Sequence, residues 1–158
     1  MDDKTPLWKQ LASNGAMLMA GTPQAQALGL VVVSIEEARA VVEVDWREEL
    51  VGDLETGVIA SGVVTTLLDN TCGVAAFAAL SEPTAAATLD LRIDYMRPAK
   101  KGATLRAHAH CYHMSKTIAF VRAFAFDSPE EKDPVAAAQA TFIMGTSGHK
   151  GHNQKPAS

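Results

Sequence analysis

Hydrophobic and polar positions change their period several times along the chain, and each change predicts an element. Across residues 59–80, apolar side chains fall on every side of a helical projection, with one formal charge, Asp69, in the middle. That pattern predicts a helix buried on nearly all faces. About 20 helical residues span roughly 30 Å, the thickness of a bilayer core. The central carboxylate, flanked by Thr65, Thr66, Asn70 and Thr71, argues against a membrane span. Upstream, Thr5 before Pro6 reads as an N-cap with proline at the first helical position. Leu7, Trp8, Leu11, Met17 and Leu18 then predict an amphipathic helix ending near Gly21-Thr22-Pro23. Residues 28–35 are valine-rich and predict a strand, turned by Glu36-Glu37 into a second one at 39–46; residues 47–56 read as a polar connection. After Ser81-Glu82-Pro83 come four alternating segments, at 88–96, 103–113, 117–126 and 135–145. In the first, Leu89, Leu91, Ile93 and Tyr95 share one face, and Asp90, Arg92 and Asp94 the other. The order is helix, two strands, long buried helix, four strands. It predicts an α+β fold with about six antiparallel strands wrapped around one central helix.

Composition narrows this picture. The 158 residues suit one domain with a substantial core. We divide them into an N-terminal helix and connection (1–27), the main domain (28–146) and a disordered tail (147–158), where Gly, Ser, Lys, His and Asn dominate. A net charge of −4 offers no general attraction to nucleic acid or anionic lipid, so neither is an expected partner. Cys72 and Cys111 lack CxxC spacing and read as reduced, packed thiols of a cytoplasmic protein. The start Met1-Asp2-Asp3-Lys4 has no signal-peptide character. The N-terminal helix lacks a basic polar face, so it reads as a lid or packing element rather than a membrane anchor.

Asp69 is the first candidate for chemistry. A charge on an apolar helix is costly unless paired or solvated, and Asp69 is too deep in the helix to be a cap. A desolvated carboxylate is a candidate base or nucleophile; a structural aspartate bonded across a dimer seam is the alternative. The second candidate is the helix entrance. Gly57 and Gly62 flank a turn into a helix whose first N–H groups lack internal partners, which suits an anionic oxygen. Plain helix-start chemistry, with Ser61 as cap, is the alternative. Gly62 and Asp69 are seven residues apart, roughly 10 Å along a helix axis. Two copies across a twofold axis would bring them together, so chemistry using both predicts an obligate dimer. His108 and His110 face the same way on a strand but have no evident third ligand, and His149 and His152 lie in the tail; no metal site is expected.

These residues carry a specific resemblance. Gly57-Val58-Ile59-Ala60-Ser61-Gly62-Val63, then Leu67-Leu68-Asp69, then Thr88-Leu89-Asp90-Leu91 leading to Asp94-Tyr95-Met96-Arg97-Pro98-Ala99 resemble the PaaI-like (phenylacetic-acid-degradation-type) acyl-CoA thioesterases of the hotdog superfamily. The similarity runs over about residues 28–146. It implies a hotdog fold and hydrolysis of an acyl-CoA thioester at a homodimer interface; the expected assembly is a homodimer or a dimer of dimers. No cofactor is implied, since the coenzyme A thioester is the substrate. Asp69 matches the family's catalytic carboxylate, acting as base or nucleophile. Gly62 matches the glycine whose neighbourhood supplies the oxyanion N–H, with Ser61 an equal candidate, and Thr88 matches a hydroxyl that orients water. Thr88 shares strand parity with Asp90 and Arg92, so a bend is needed to aim it inward. Arg97, Lys100, Lys101 and Lys116 are the expected contacts for coenzyme A phosphates. The chain departs from the family at the helix entrance, where the usual His-Gly-Gly reads Ala60-Ser61-Gly62, and at Leu54, where an asparagine is usual. These departures keep a second reading open: a non-catalytic acyl-CoA-binding or regulatory hotdog protein.

Overall fold

The computed structural model describes residues 5–145; the tail expected at 147–158 lies outside the described residues. In chain order the elements are α1 (Leu7–Ser13), α2 (Gly15–Ala20), α3 (Pro23–Leu28), β1 (Val31–Glu36), β2 (Arg39–Val44), β3 (Val51–Asp53), β4 (Val58–Ile59), α4 (Ser61–Ala78), β5 (Ala86–Tyr95), β6 (Leu105–Met114), β7 (Ile118–Phe126) and β8 (Ala136–Met144). Six strands form one antiparallel sheet in the order β1-β2-β6-β7-β8-β5, and α4 packs against its inner face, touching β2, β6, β7, β8 and β5. This is the hotdog arrangement expected from the sequence.

Strand alternation explains why the sheet can wrap the helix. Ala107 and Ala109 on β6, Ala119, Ala123 and Ala125 on β7, and Ala136, Ala138 and Ala140 on β8 all point inward and are buried. Small inner side chains let the sheet curl close to α4, and the space is filled from the helix by Leu67 and Leu68, both fully buried. Among the described residues no helix is long and apolar enough to cross a membrane.

The N-terminal region differs from its expectation. The single helix predicted over the first 21 residues is three short helices. Asn14 leaves helical geometry at φ −124°, separating α1 from α2, and Pro6 rather than Thr5 occupies the cap of α1. Gly29, at φ +73°, closes α3 in the left-handed region, so β1 begins at Val31 and not at residue 28. The polar connection at 47–56 also holds more structure than its composition suggested. It carries a 3₁₀ turn at Glu48–Leu50 and a small hairpin of β3 and β4. Asp53 builds the hairpin turn: one carboxylate oxygen accepts from the Glu55 N–H at 3.0 Å and the other from the Thr56 hydroxyl at 2.8 Å. These bonds, the Thr56 one foremost, hold its pKa below the ordinary aspartate value. Gly57 ends the turn at φ +69°, and Trp46 Nε1 donates to its carbonyl at 2.9 Å. The hairpin thereby delivers the chain to the start of α4.

Candidate active site

Helix α4 is not buried on all faces. Ten of its 18 residues are buried. Ser61, Gly62, Thr65, Thr66, Asp69, Asn70, Gly73 and Phe77 are exposed or half-buried. Their spacing places them on one side of the helix, turned away from the sheet. Every polar side chain of α4 except Thr71 belongs to that open stripe, which is how a mainly apolar helix accommodates a carboxylate at its centre.

Asp69 sits on the stripe half-buried, and its Oδ1 accepts a hydrogen bond from Thr88 Oγ1 at 3.0 Å. The bend required of Thr88 exists as a β-bulge. Thr88 is opposite Phe142, whereas Asp90 is opposite Thr141, so Leu89 is an extra residue in β5. A bulge of one residue reverses strand parity. Thr88 therefore shares the inner face with buried Phe142, and Leu89, expected inside, is 55% exposed. Three residues beyond Asp69, burial first and the nearby Asp69 charge second push the Cys72 thiol up to about 12.

The helix entrance is open. Ala60 occupies the cap position with no side-chain cap bond, and among the described residues nothing accepts from the Ser61 or Gly62 N–H groups. A Cβ placed on Gly62 would meet no atom of the described residues within 4 Å. Sequence reasoning missed one residue here. Tyr95 reaches across from β5, donates to the Ser61 carbonyl at 3.2 Å, and lies 2.6 Å from Thr65 Oγ1. Its strand parity with Leu91 and Ile93 was the available signal. A groove of about 350 Å³, lined by Val58, Ser61, Tyr95, Met96 and Pro98 among others, opens beside this first turn.

The four basic residues are not gathered within one chain. The Arg97 guanidinium binds Asp127 through two bonds of 2.8 and 2.7 Å and reaches the Asp133 carboxylate at 2.8 Å. The Asp127 side chain is fully buried and also accepts from the Lys100 N–H at 2.8 Å. The bonds from Arg97, and then that from Lys100, hold its pKa down at about 2. Arg97, expected on a phosphate, thus anchors the turns that follow β5 and β7. Lys100 and Lys101 are exposed after β5, with the Lys101 stem against Gly57. Lys116 lies between β6 and β7, at the other end of strands that are nine or ten residues long. At about 3.4 Å per residue the two ends are roughly 30 Å apart. His108 Nε2 lies 2.7 Å from Glu131 Oε1 on the outer sheet face; among the described residues no three His, Cys, Asp or Glu side chains gather to hold a metal, and His149 and His152 lie outside them.

With this geometry in view, the comparisons with known proteins are specific. The sequence pattern of the thioesterase superfamily matches residues 56–133, which hold both the helix entrance and Asp69. A crystal structure of a Pseudomonas aeruginosa protein is 30% identical, covers 87% of this chain and 98% of its own, and superposes with a TM-score of 0.75. A variant of the phenylacetic acid degradation protein PaaI from Thermus thermophilus is 29% identical over 77% of this chain and 97% of its own, with a TM-score of 0.66. A Saccharolobus solfataricus protein named as an esterase is 32% identical over 75 residues, 48% of this chain; the match spans 51% of that protein, about half its length. The hotdog sheet around α4 and the match across Asp69 together establish that this chain belongs to the thioesterase superfamily.

Proposed function

We propose that the protein hydrolyses acyl-CoA thioesters to the free acid and coenzyme A, at a site shared between two copies of the chain. The observation that carries this reading is Asp69: a half-buried carboxylate on the open face of α4, oriented by Thr88, inside the matched region. Thr88 occupies Oδ1, which leaves Oδ2 to accept a proton from water. That water attacks the thioester carbonyl carbon, and the carbonyl oxygen becomes an oxyanion. Collapse of this intermediate breaks the C–S bond, and the departing thiolate takes the proton from Asp69. In the nucleophile version of the role, Asp69 attacks the carbonyl carbon and expels the coenzyme A thiolate, and water then cleaves the acyl-enzyme anhydride to the free acid and the Asp69 carboxylate.

The oxyanion needs donors already in place. Ser61 and Gly62 present N–H groups with no acceptor among the described residues, at the positive end of an 18-residue helix, and Tyr95 holds that first turn. Those donors and Asp69 lie on one helix, about 10 Å apart along its axis, too far to act together on one carbonyl. The uncovered sheet edge, β5, supports a twofold partner. It is ten residues long, and Leu89, Tyr95 and Met96, on and just beyond it, are each about half exposed. Antiparallel pairing of two such edges would set the entrance of one α4 beside Asp69 of the other. It would also set Lys100 and Lys101 of one copy near Lys116 of the other, so the phosphate contacts would be shared as well. A further pairing of dimers belongs to the same proposal.

The test is steady-state hydrolysis of short, medium and aromatic acyl-CoA substrates by the wild type and by Asp69→Asn. The proposal predicts activity that falls by roughly 10²–10⁴ in the variant. Equal activity would remove Asp69 from the chemistry. The second reading, acyl-CoA binding without hydrolysis, is favoured by the apolar Ala60 at the helix entrance; it predicts saturable binding in calorimetry with no thiol release.

A further inference from the structure

The outer face of the sheet, opposite α4, carries a row of residues directly across from one another on six strands. Glu36 is opposite Arg39, Arg39 opposite His110, His110 opposite Arg122, Arg122 opposite Gln139, and Gln139 opposite Arg92. Neighbouring strands lie about 4.8 Å apart, so Arg39 and Arg122 rise roughly 10 Å from each other with the His110 imidazole between them. At roughly one Debye length the two guanidiniums repel one another only weakly, and their flexible side chains can reach a single anion placed between them.

The other cations of this face have local carboxylates. Arg92 bonds Asp94 at 3.1 Å, Arg106 bonds Glu43 at 2.9 Å, and His108 lies 2.7 Å from Glu131. Among the described residues neither Arg39 nor Arg122 has a carboxylate within ion-pair distance; Arg122 has only the Tyr112 ring, 5.7 Å from its guanidinium carbon. Both line a groove of about 550 Å³ that also includes His110, Val41 and the partly exposed Phe124, with Glu36 at the end of the row. Burial, then Arg39 and Arg122, lower the pKa of His110, so the field of both guanidiniums converges on one point.

We propose that this groove is a second binding site, on the opposite side of the sheet from Asp69, for a nucleotide. Two guanidinium forks flanking an imidazole suit the several oxygens of a phosphate ester better than the two of a single carboxylate. Val41, His108 and Phe124, opposite one another in the next row, supply a surface with two rings against which a flat base can lie. Nothing in this assignment depends on the thioester reading, and its failure would leave that reading untouched.

Calorimetric titration with adenosine monophosphate, adenosine and inorganic phosphate tests the site. The wild type should bind the monophosphate saturably, inorganic phosphate more weakly and adenosine not at all, with His110 ring signals shifting in NMR. Arg39→Gln and Arg122→Gln should each weaken binding by about tenfold, the size of one lost charged hydrogen bond, and the double variant should not saturate. Asp69→Asn should bind as the wild type does. Absence of saturable binding by the wild type overturns the site, as does an unchanged Kd in a double variant with a wild-type melting curve. Light scattering supplies the remaining arm: if the double variant changes the mass of the assembly while nucleotide binds neither protein, the face belongs to a second copy of the chain and the site is overturned.

Discussion

Replacing Gly62 by alanine separates the needs of the fold from the needs of the site. Gly62 is in the first turn of α4, exposed, and has no positive φ, so its backbone accepts any L-residue. A Cβ there meets no atom of the described residues within 4 Å, so no strain or overpacking from them opposes it. Alanine is favoured over glycine in helices by up to about 1 kcal/mol, less near an end. We expect a gain of about 0.5 kcal/mol, which raises the melting temperature by about 1–2 °C for a domain of this size. The same methyl group would stand where a thioester carbonyl must approach the Ser61 and Gly62 N–H groups. Displacing a reacting group by about 1 Å costs on the order of 10² in rate. Differential scanning fluorimetry and kcat/KM for acyl-CoA hydrolysis, measured on the same preparation, give both quantities. A stable variant with wild-type kcat/KM would refute the oxyanion role of this turn. A destabilised variant would refute the view that the space is empty for the fold.

Asp127 has its pKa held at about 2, against 3.8 for an ordinary aspartate, so it contributes about 2 kcal/mol of stability that is present above pH 3.8 and lost as pH falls through 2. Asp127→Asn should lower stability near pH 7 by about that amount, and flatten the acid limb of a urea-unfolding series taken between pH 2 and 5. Tyr95→Phe removes the hydroxyl on Ser61 and Thr65 and should cost about 1 kcal/mol of stability. Its kcat should fall with KM nearly unchanged, since the turn it holds acts on the oxyanion rather than on coenzyme A. Leu67→Ala empties a fully buried site beneath α4 and should cost about 2–5 kcal/mol in chemical denaturation.

The fold was legible because its signals are long and periodic. An apolar helix with small residues, followed by four alternating strands, leaves little choice but a sheet curled around that helix. The N-terminal region was read less well, since Asn14 and Gly29 interrupt an amphipathic pattern that hydropathy alone carries through. The β3–β4 hairpin was hidden by its polarity: Asp53 and Thr56 build a turn with side-chain bonds, which composition reports only as a connection. At the site, Asp69 was conspicuous as the one charge in a greasy segment. The bulge at Leu89 that turns Thr88 toward it leaves no mark in the alternation. The ion pairs of Arg97 were hidden for a different reason: Asp127 lies 30 residues away, and nothing local in the sequence separates a half-buried, paired arginine from a free one.

Subunit mixing tests the shared site most directly. Asp69→Asn and a Gly62 variant carrying a bulky side chain are each expected to be inactive, for different reasons in different halves of the site. Mixed in equal amounts and allowed to exchange, half of the dimers pair one subunit of each kind. Each mixed dimer keeps one site with an intact carboxylate from one chain and an intact helix entrance from the other. Hydrolysis should therefore recover to about a quarter of the wild-type rate. If mass spectrometry shows mixed dimers and no activity returns, Asp69 and the helix entrance do not act across the interface, and the shared site is wrong.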